Sequence, residues 1–259
     1  EAKKFLNKII KRDFFKSPKN FEEKAISLIG KDLYFAFIQG YTSKQWLKDP
    51  KLLPSSIINR LPVRFNFDNS YFNNSIWQGI PDKGYTQIFK NLIKNKFIKL
   101  KLGVEYKLNK NKPKIATIYT GPLDKLFDYK YGKLEWKSVS FKNKVINVED
   151  YQGNSVINFA EKKIRYTRIH EPKHLHKDRN YPKNKTLIIF EYPDKKNQKP
   201  YYPVNDKHNR NIHRKYKEIA KNLDNFYVGG RLGDYAYYDM DMTISAALKL
   251  YENSIKKLI

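Results

Sequence analysis

The chain has no cysteine among its 259 residues. That excludes disulfides, thiolate nucleophiles and cysteine-bound zinc, and it fits a reducing compartment. No apolar run approaches the roughly 18 residues needed to cross a bilayer, so no membrane insertion is expected. No secretory leader is legible, and a cytoplasmic location is the expectation. The first residue is Glu1 and not Met, so an upstream part is expected to belong to the parent protein. No G-x-G-x-x-G turn occurs anywhere, the glycine fingerprint with which an α/β domain cradles a dinucleotide diphosphate. No internal repeat is visible. Acidic residues are also few: 26 Asp+Glu stand against 52 Lys+Arg, a formal charge of +26. Such a balance invites a nucleic-acid reading. The excess, however, is lysine scattered among many Asn, Ile, Tyr and Phe, a mixture that an AT-rich coding sequence gives. No nucleic-acid partner is expected, while a general attraction for anionic substrates is.

What the chain does have is a stretch on which the rest is organised, Gly229-Gly230-Arg231-Leu232-Gly233 followed by Tyr237-Tyr238-Asp239-Met240-Asp241-Met242-Thr243. Apolar residues then recur at helical spacing (Ile244, Ala247, Leu248, Tyr251), with Asp239 and Asp241 where an N-cap belongs. Two readings are open. A glycine loop feeding a helix N-terminus suits an anionic ligand, with Arg231 forking onto a phosphate. Equally, it is a glycine turn before an ordinary capped helix.

Taken in order, residues 1–12 carry an amphipathic helix pattern (Phe5, Leu6, Ile9, Ile10). Asn20 caps a second helix with Glu22 and Glu23 in its first turn, and Gly40-Tyr41-Thr42 closes it. A short helix at 43–48 ends at Asp49-Pro50. A helix is expected from Thr86 to Ile93. Period-two alternation marks Phe97 to Leu102 and 114–119 as strands. Residues 130–200 read as a mainly antiparallel sheet: 134–141, Val145 to Val148, 156–159, 166–169 and 187–193, with a turn at Gln152-Gly153-Asn154. A helix at about 208–222 and a strand at Phe226-Tyr227-Val228 lead into the glycine stretch.

Several side chains stand out. Tyr41 and Trp46 offer stiff flat surfaces for a base or sugar, or serve as core aromatics at a helix junction. Arg60 and Arg64 sit in an apolar run and need an anion, either a bound diphosphate or a structural carboxylate. His170, His174 and His176 tempt a metal reading, but no carboxylate cluster accompanies them in sequence. Loop histidines near a carboxylate are expected instead, and no metal.

The run Gly40-Tyr41-Thr42-Ser43-Lys44-Gln45-Trp46, the stretch from Pro54 to Phe65, Tyr71-Phe72, Tyr119-Thr120-Gly121-Pro122-Leu123-Asp124 and the glycine stretch resemble, in order from about residue 20 to 252, the UDP-galactopyranose mutases. The resemblance implies mixed α/β and α+β architecture. It would comprise a split FAD-binding Rossmann-like domain, incomplete here (94–132 and 207–259), an inserted helical subdomain with a mobile substrate loop (1–54), and a mainly antiparallel sheet domain (55–93 and 133–206). It implies an isomerase that interconverts UDP-galactopyranose and UDP-galactofuranose for galactofuranose-containing surface glycans. In that family reduced flavin N5 attacks the anomeric carbon and displaces UDP, and the adduct opens and recloses as the smaller ring.

Carried over position by position, Arg60 and Arg168 would clamp the UDP pyrophosphate as a leaving group. Phe37, Tyr41, Thr42 and Asn158 would line the uridine pocket, and Trp46 would sense the nucleotide. Tyr71, Tyr202 and Tyr237 would hydrogen-bond the diphosphate. Arg231 would lie on the FAD pyrophosphate, with Tyr238, Asp239, Met240, Asp241, Met242 and Thr243 around the ribityl chain and flavin edge. A homodimer is the assembly the family suggests.

Departures exist too. Leu47 stands where glycine is common, and Ala236 where a basic residue is. About the first 110 residues of a typical member are lacking, including the glycine fingerprint and the flavin-proximal histidine loop. Weak or absent FAD binding by the isolated chain follows. The alternative functions are an inactive fragment that at most binds UDP-sugar, and another oxidoreductase of the same flavoprotein group.

Overall fold

The computed structural model describes residues 1–60, 63–67, 76–108, 113–195 and 199–259, without the side chains of Ser56, Asn59 and Arg60. The chain divides into two compact units, Glu1–Leu102 with Val139–Asp194, and Gly103–Ser138 with Lys195–Ile259. Among the described residues no helix is long and apolar enough to cross a membrane.

The first unit begins with helix Ala2–Asp13, whose Leu6 and Ile9 are buried. Asn20 then starts helix Phe21–Leu33, its side-chain oxygen accepting from the Glu23 N–H at 2.9 Å. This helix does not run on to Gly40, as the apolar spacing suggests. It breaks at Gly30, whose φ is 78°. A Cβ there would lie 1.9 Å from Ile9 Cγ2, so glycine admits the first helix, and Asp13 accepts the displaced Lys31 N–H at 2.8 Å. A π-helical turn, Tyr34–Ile38, follows, and a third helix occupies Gln39–Trp46. Gly40, Tyr41 and Thr42 therefore lie inside a helix and do not terminate one. Leu47, in the left-handed region at φ 51°, makes the stop. Phe21, Ala25, Ile26, Ile29, Tyr34, Leu53 and Ile58 form the core of this helical part.

The same unit holds an antiparallel ladder. Strand Val156–Asn158 pairs with Arg168–His170, which pairs with Thr186–Asp194. The long strand Trp136–Ile146 lies beside the last, from Val139 onward in this unit. It takes in Val145, read separately from the sequence. Gly153 (φ 68°) makes the expected turn, its N–H bonded to Asp150 Oδ1 at 2.6 Å. Helix Tyr85–Leu92 is present, but Phe97 to Leu102 is not a strand. Its alternation is not enough: among the described residues no neighbouring strand pairs with it, and Phe97 and Leu102 stay more than 80% exposed.

In the second unit, strand Thr117–Tyr119 runs parallel to Phe226–Val228. Helix Lys207–Lys221, capped by Asp206, buries Ile212, Tyr216 and Ala220 against Leu123, Leu134 and Tyr235. The Tyr216 hydroxyl accepts from Tyr131 N–H and donates to Gly132 C=O, both at 2.8 Å. The opening of strand Trp136–Ile146 pairs here with Tyr202–Pro203. Gly230–Gly233 forms one helical turn, and helix Met240–Asn253 follows.

Candidate functional site

Six of the predicted side chains gather in two clusters, Tyr41, Asn158 and Arg168 in the first unit and Tyr202, Tyr237 and Arg231 in the second. In the first, strand register does the work. Arg168 lies directly opposite Asn158 on one side and Glu191 on the other. Residues opposite each other in an antiparallel ladder share a face, as do residues two apart on one strand, so Asn158, Arg168, Glu191 and His170 form one patch. Arg168 Nε donates to Asn158 Oδ1 at 3.1 Å, and its Nη1 reaches Glu191 Oε1 at 3.3 Å. His170 Nε2 lies 3.0 Å from the other Glu191 oxygen. The guanidinium sits 5.6 Å from the Tyr41 ring centroid, a cation–π arrangement.

Glu191 is the buried centre of this patch, with 4% of its side chain exposed against 31% for Arg168. Burial alone would raise its carboxyl pKa. The hydrogen bond with His170 and the charge of Arg168 outweigh that and hold it below its ordinary value. Thr42 is buried in the same helix as Tyr41, Trp46 is half-buried against the helical core, and Phe37 is exposed. The Arg60 side chain and all of Tyr71 lie outside the described residues.

In the second unit Tyr202 and Tyr237 stack, 5.7 Å apart and 15° from parallel. Arg231 lies over both, 4.6 Å from the Tyr237 centroid and 5.9 Å from Tyr202. Its Nη2 donates to the Tyr201 carbonyl, while its buried Nε finds no hydrogen-bond acceptor among the described residues. The space beside the glycines around it is filled from within the protein. A Cβ at Gly230 would meet Thr120 at 3.2 Å, and one at Gly233 would meet Val228 at 3.0 Å. They serve close packing against the parallel strand pair Thr117–Tyr119 and Phe226–Val228 and the turn that follows Tyr119. Tyr238 donates to Asp234 at 3.3 Å. Asp239 takes the N-cap position, but its side chain makes no capping hydrogen bond; its carbonyl accepts from both N–H and Oγ1 of Thr243. Asp241 lies within the first turn, and Met240 and Met242 are exposed.

The family model described as UDP-galactopyranose mutase matches residues 36–237. The chain belongs to the UDP-galactopyranose mutase family. Among similar proteins, one from Klebsiella pneumoniae named "Probable UDP-galactopyranose mutase" is 38% identical over 90% of this chain and 60% of its own length. The dTDP-fucopyranose mutase of Escherichia coli is 35% identical over 92% of this chain and 65% of its own. A crystal structure of reduced UDP-galactopyranose mutase shares the fold with a TM-score of 0.73, covering 99% of this chain and 72% of that one at 14% identity. The chain thus spans less than two thirds of the length of these two sequence relatives.

Within this mutase-family chain, two contributors carry no assignment from the sequence, Glu191 and Lys44. Glu191 is a carboxylate in the apolar run Leu187-Ile188-Ile189-Phe190, the same signal that marked Arg60 and Arg64 and one that calls for a buried cation. His170, expected near a carboxylate, shares Glu191 from a strand and not from a loop. Lys44 lies one helical turn after Gly40 and was read only as part of a motif. Among the described residues, Asp150, Glu171 and His174 also gather, their ligand atoms within 4.8 Å of one another, a grouping that sequence spacing does not reveal. Glu171 already accepts from Thr186 Oγ1 at 2.6 Å and Gln152 N–H at 2.9 Å, and the Lys173 ammonium stands 3.5 Å from it. That set is arranged as a structural hub.

Proposed function

We propose that this chain carries the sugar-nucleotide site of a pyranose–furanose mutase, with UDP-galactopyranose and UDP-galactofuranose as the interconverted pair. The observation that carries the reading is the row Asn158–Arg168–Glu191 with Arg168 over the Tyr41 ring, inside the family-matched span. Arg168 is aimed by a carboxylate and an amide, yet stays partly exposed to solvent. A diphosphate placed on it gains charge-assisted hydrogen bonds that strengthen as the bond from the sugar to the β-phosphate breaks and charge builds on the leaving group. Tyr41 offers a face to the uracil or sugar, with Phe37, Thr42 and Trp46 beside it on consecutive helical turns. Arg60 supplies a second cation and Tyr71 a hydroxyl to the same diphosphate.

FAD is the cofactor of this reading, and the residues of the second unit fit one side of it. Arg231 has a buried N–H with no acceptor, and the first turn of helix Met240–Asn253 is not capped by the Asp239 side chain. Such N–H groups suit a phosphate or an electron-rich ring edge. Arg231 would take the pyrophosphate, and Tyr238 to Thr243 the ribityl chain and flavin edge. When bound and reduced, FAD supplies the nucleophile for the anomeric carbon. This chain's own part is to hold the nucleotide, orient the sugar and neutralise the departing diphosphate.

Titration of the purified chain with UDP, followed by tryptophan fluorescence, tests the reading. Saturable quenching that Arg168→Ala weakens at least about tenfold is the expected result. Absence of quenching in a folded chain overturns it. The Escherichia coli relative favours a second reading, a dTDP-sugar in place of the UDP-sugar. Tighter binding of dTDP than UDP would select it. A chain that binds UDP but gives no turnover with FAD and reductant would be a UDP-sugar-binding fragment.

A further inference from the structure

We propose that Lys44 is a positioning residue for the Arg168 cluster, its ammonium fastening the helix that carries Tyr41 to the loop that joins Asn158 to Arg168. Lys44 Nζ donates to three backbone carbonyls, Phe159 at 2.7 Å, Ile164 at 3.0 Å and Tyr166 at 3.0 Å. An ammonium has three donors, so the three carbonyls use all of them. No other side chain of that length offers three donors from one point. Burial pushes its pKa down, opposed by the charge of nearby Glu161.

The neighbouring helical turn meets the same loop. A Cβ on Gly40 would lie 2.0 Å from the Ala160 carbonyl oxygen, so only glycine brings the helix this close. Gly40 and Lys44, four residues apart, therefore make one joint on one helix face. The fastened points adjoin the site. Tyr41 follows Gly40, Phe159 follows Asn158, and Tyr166 precedes Arg168 by two residues. The Phe159 N–H closes the base of the loop on Thr167 C=O at 2.9 Å. A shift of the helix against this loop would move the Tyr41 ring away from the Arg168 guanidinium, because both are held to it within one or two residues.

The affinity part of this inference rests on the reading of Arg168 as a diphosphate ligand; the positional part does not. The test compares the full chain with Lys44→Met, which keeps length and removes the donors, and Lys44→Arg, which keeps charge and donors. Two readouts are used: the 15N-resolved Nε–H signal of Arg168, which the bond to Asn158 protects, and UDP affinity. Hydrogen exchange in helix Phe21–Leu33, in the same unit, reports whether the fold around the joint survives. Lys44→Met is expected to lose the Arg168 signal and weaken UDP about tenfold while that helix stays protected, with Lys44→Arg in between. An unchanged signal, or UDP binding within about twofold of the parent chain, overturns the proposal. If Lys44→Met does not fold, Gly40→Ala must reproduce the loss by pushing the same loop, and its failure to do so overturns the proposal equally. A parent chain that shows the Arg168 signal but no UDP binding sinks the proposed function, and the signal in Lys44→Met still decides the positioning role.

Discussion

Two arginines among the described residues lie over tyrosine rings, and they are held by different chemistry. Arg168 is pinned from both sides of its strand, by an amide and by a buried carboxylate that also takes His170. Arg231 has a backbone carbonyl and two stacked rings, and no carboxylate among its described contacts. The first arrangement fixes a cation in direction and partly offsets its charge. The second leaves the charge largely uncompensated in a part-buried place, with one N–H unmet. A buried cation of that kind is costly unless an anion offsets it, so the proposed pyrophosphate role of Arg231 would relieve a cost that Arg168, already paired with Glu191, does not carry.

The largest expected effect tests that contrast on stability. Glu191→Ala leaves Arg168 and His170 facing each other without their shared anion and should cost about 3 kcal/mol, the low end for breaking a buried pair because Arg168 keeps some solvent. Arg231→Met removes an uncompensated charge and keeps the stem over the rings, so it should cost under about 1 kcal/mol. Urea unfolding of the two variants measures both. Equal losses would erase the distinction.

Next in size is ligand binding. Arg168→Ala should weaken UDP by about thirtyfold, roughly 2 kcal/mol, as for loss of a hydrogen bond to a charged group. Arg231→Ala should leave UDP affinity within about threefold and instead abolish whatever affinity the chain has for ADP or FAD. Calorimetry with each ligand decides. A large UDP effect from Arg231 would mean the two arginines serve one diphosphate.

Acid should also separate the clusters. The Glu191 carboxyl lies below its ordinary value of 4.5 in the folded chain, so its contribution is fully present above that value and is lost as pH falls through the lower, folded pKa. Stability is expected to be lost over that window, and Glu191→Gln should flatten the slope. The second unit carries a different acid response, since burial lowers the His213 pKa beside the Gly233 carbonyl. A histidine held neutral by folding loses stability as pH falls from its unfolded value of 6.5, so this unit should weaken at milder acidity.

Much of this was legible in the sequence where the signal is local. The Asn20 cap, the strands around Arg168 and Glu191, the helix after Asp206 and the one after Asp239 all carry their own periodicity and end signals. The strand expected at Phe97 to Leu102 failed because alternation says which face would be buried and cannot supply a partner strand. The helix end placed at Gly40 failed because a glycine there excuses close approach to Ala160, and not a left-handed stop; the stop is Leu47. Motif likeness picked out Tyr41, Asn158, Arg168, Tyr202, Tyr237 and Arg231. Their grouping into two clusters was hidden, since it depends on a register that pairs residues 158, 168 and 191. Glu191 and Lys44 were missed for the same reason: each matters through groups over twenty or a hundred residues away.

The smallest effect is the most discriminating for the Arg231 cluster. Tyr237→Leu keeps apolar bulk while removing the ring that lies 4.6 Å under the guanidinium. If the rings are what hold Arg231 in place of a carboxylate, the change should cost about 0.5–1 kcal/mol of stability, the range of a part-exposed cation–π contact. Tyr41→Leu should cost less in stability, because Arg168 keeps its carboxylate and amide when that ring is gone. A double-mutant cycle of Tyr237→Leu with Arg231→Met then isolates the pair. A coupling near zero would mean that the Tyr201 carbonyl alone holds Arg231 and that the stacked tyrosines belong to a ligand. A coupling near the full single-mutant effect would mean the rings stand in for the carboxylate that the first cluster has.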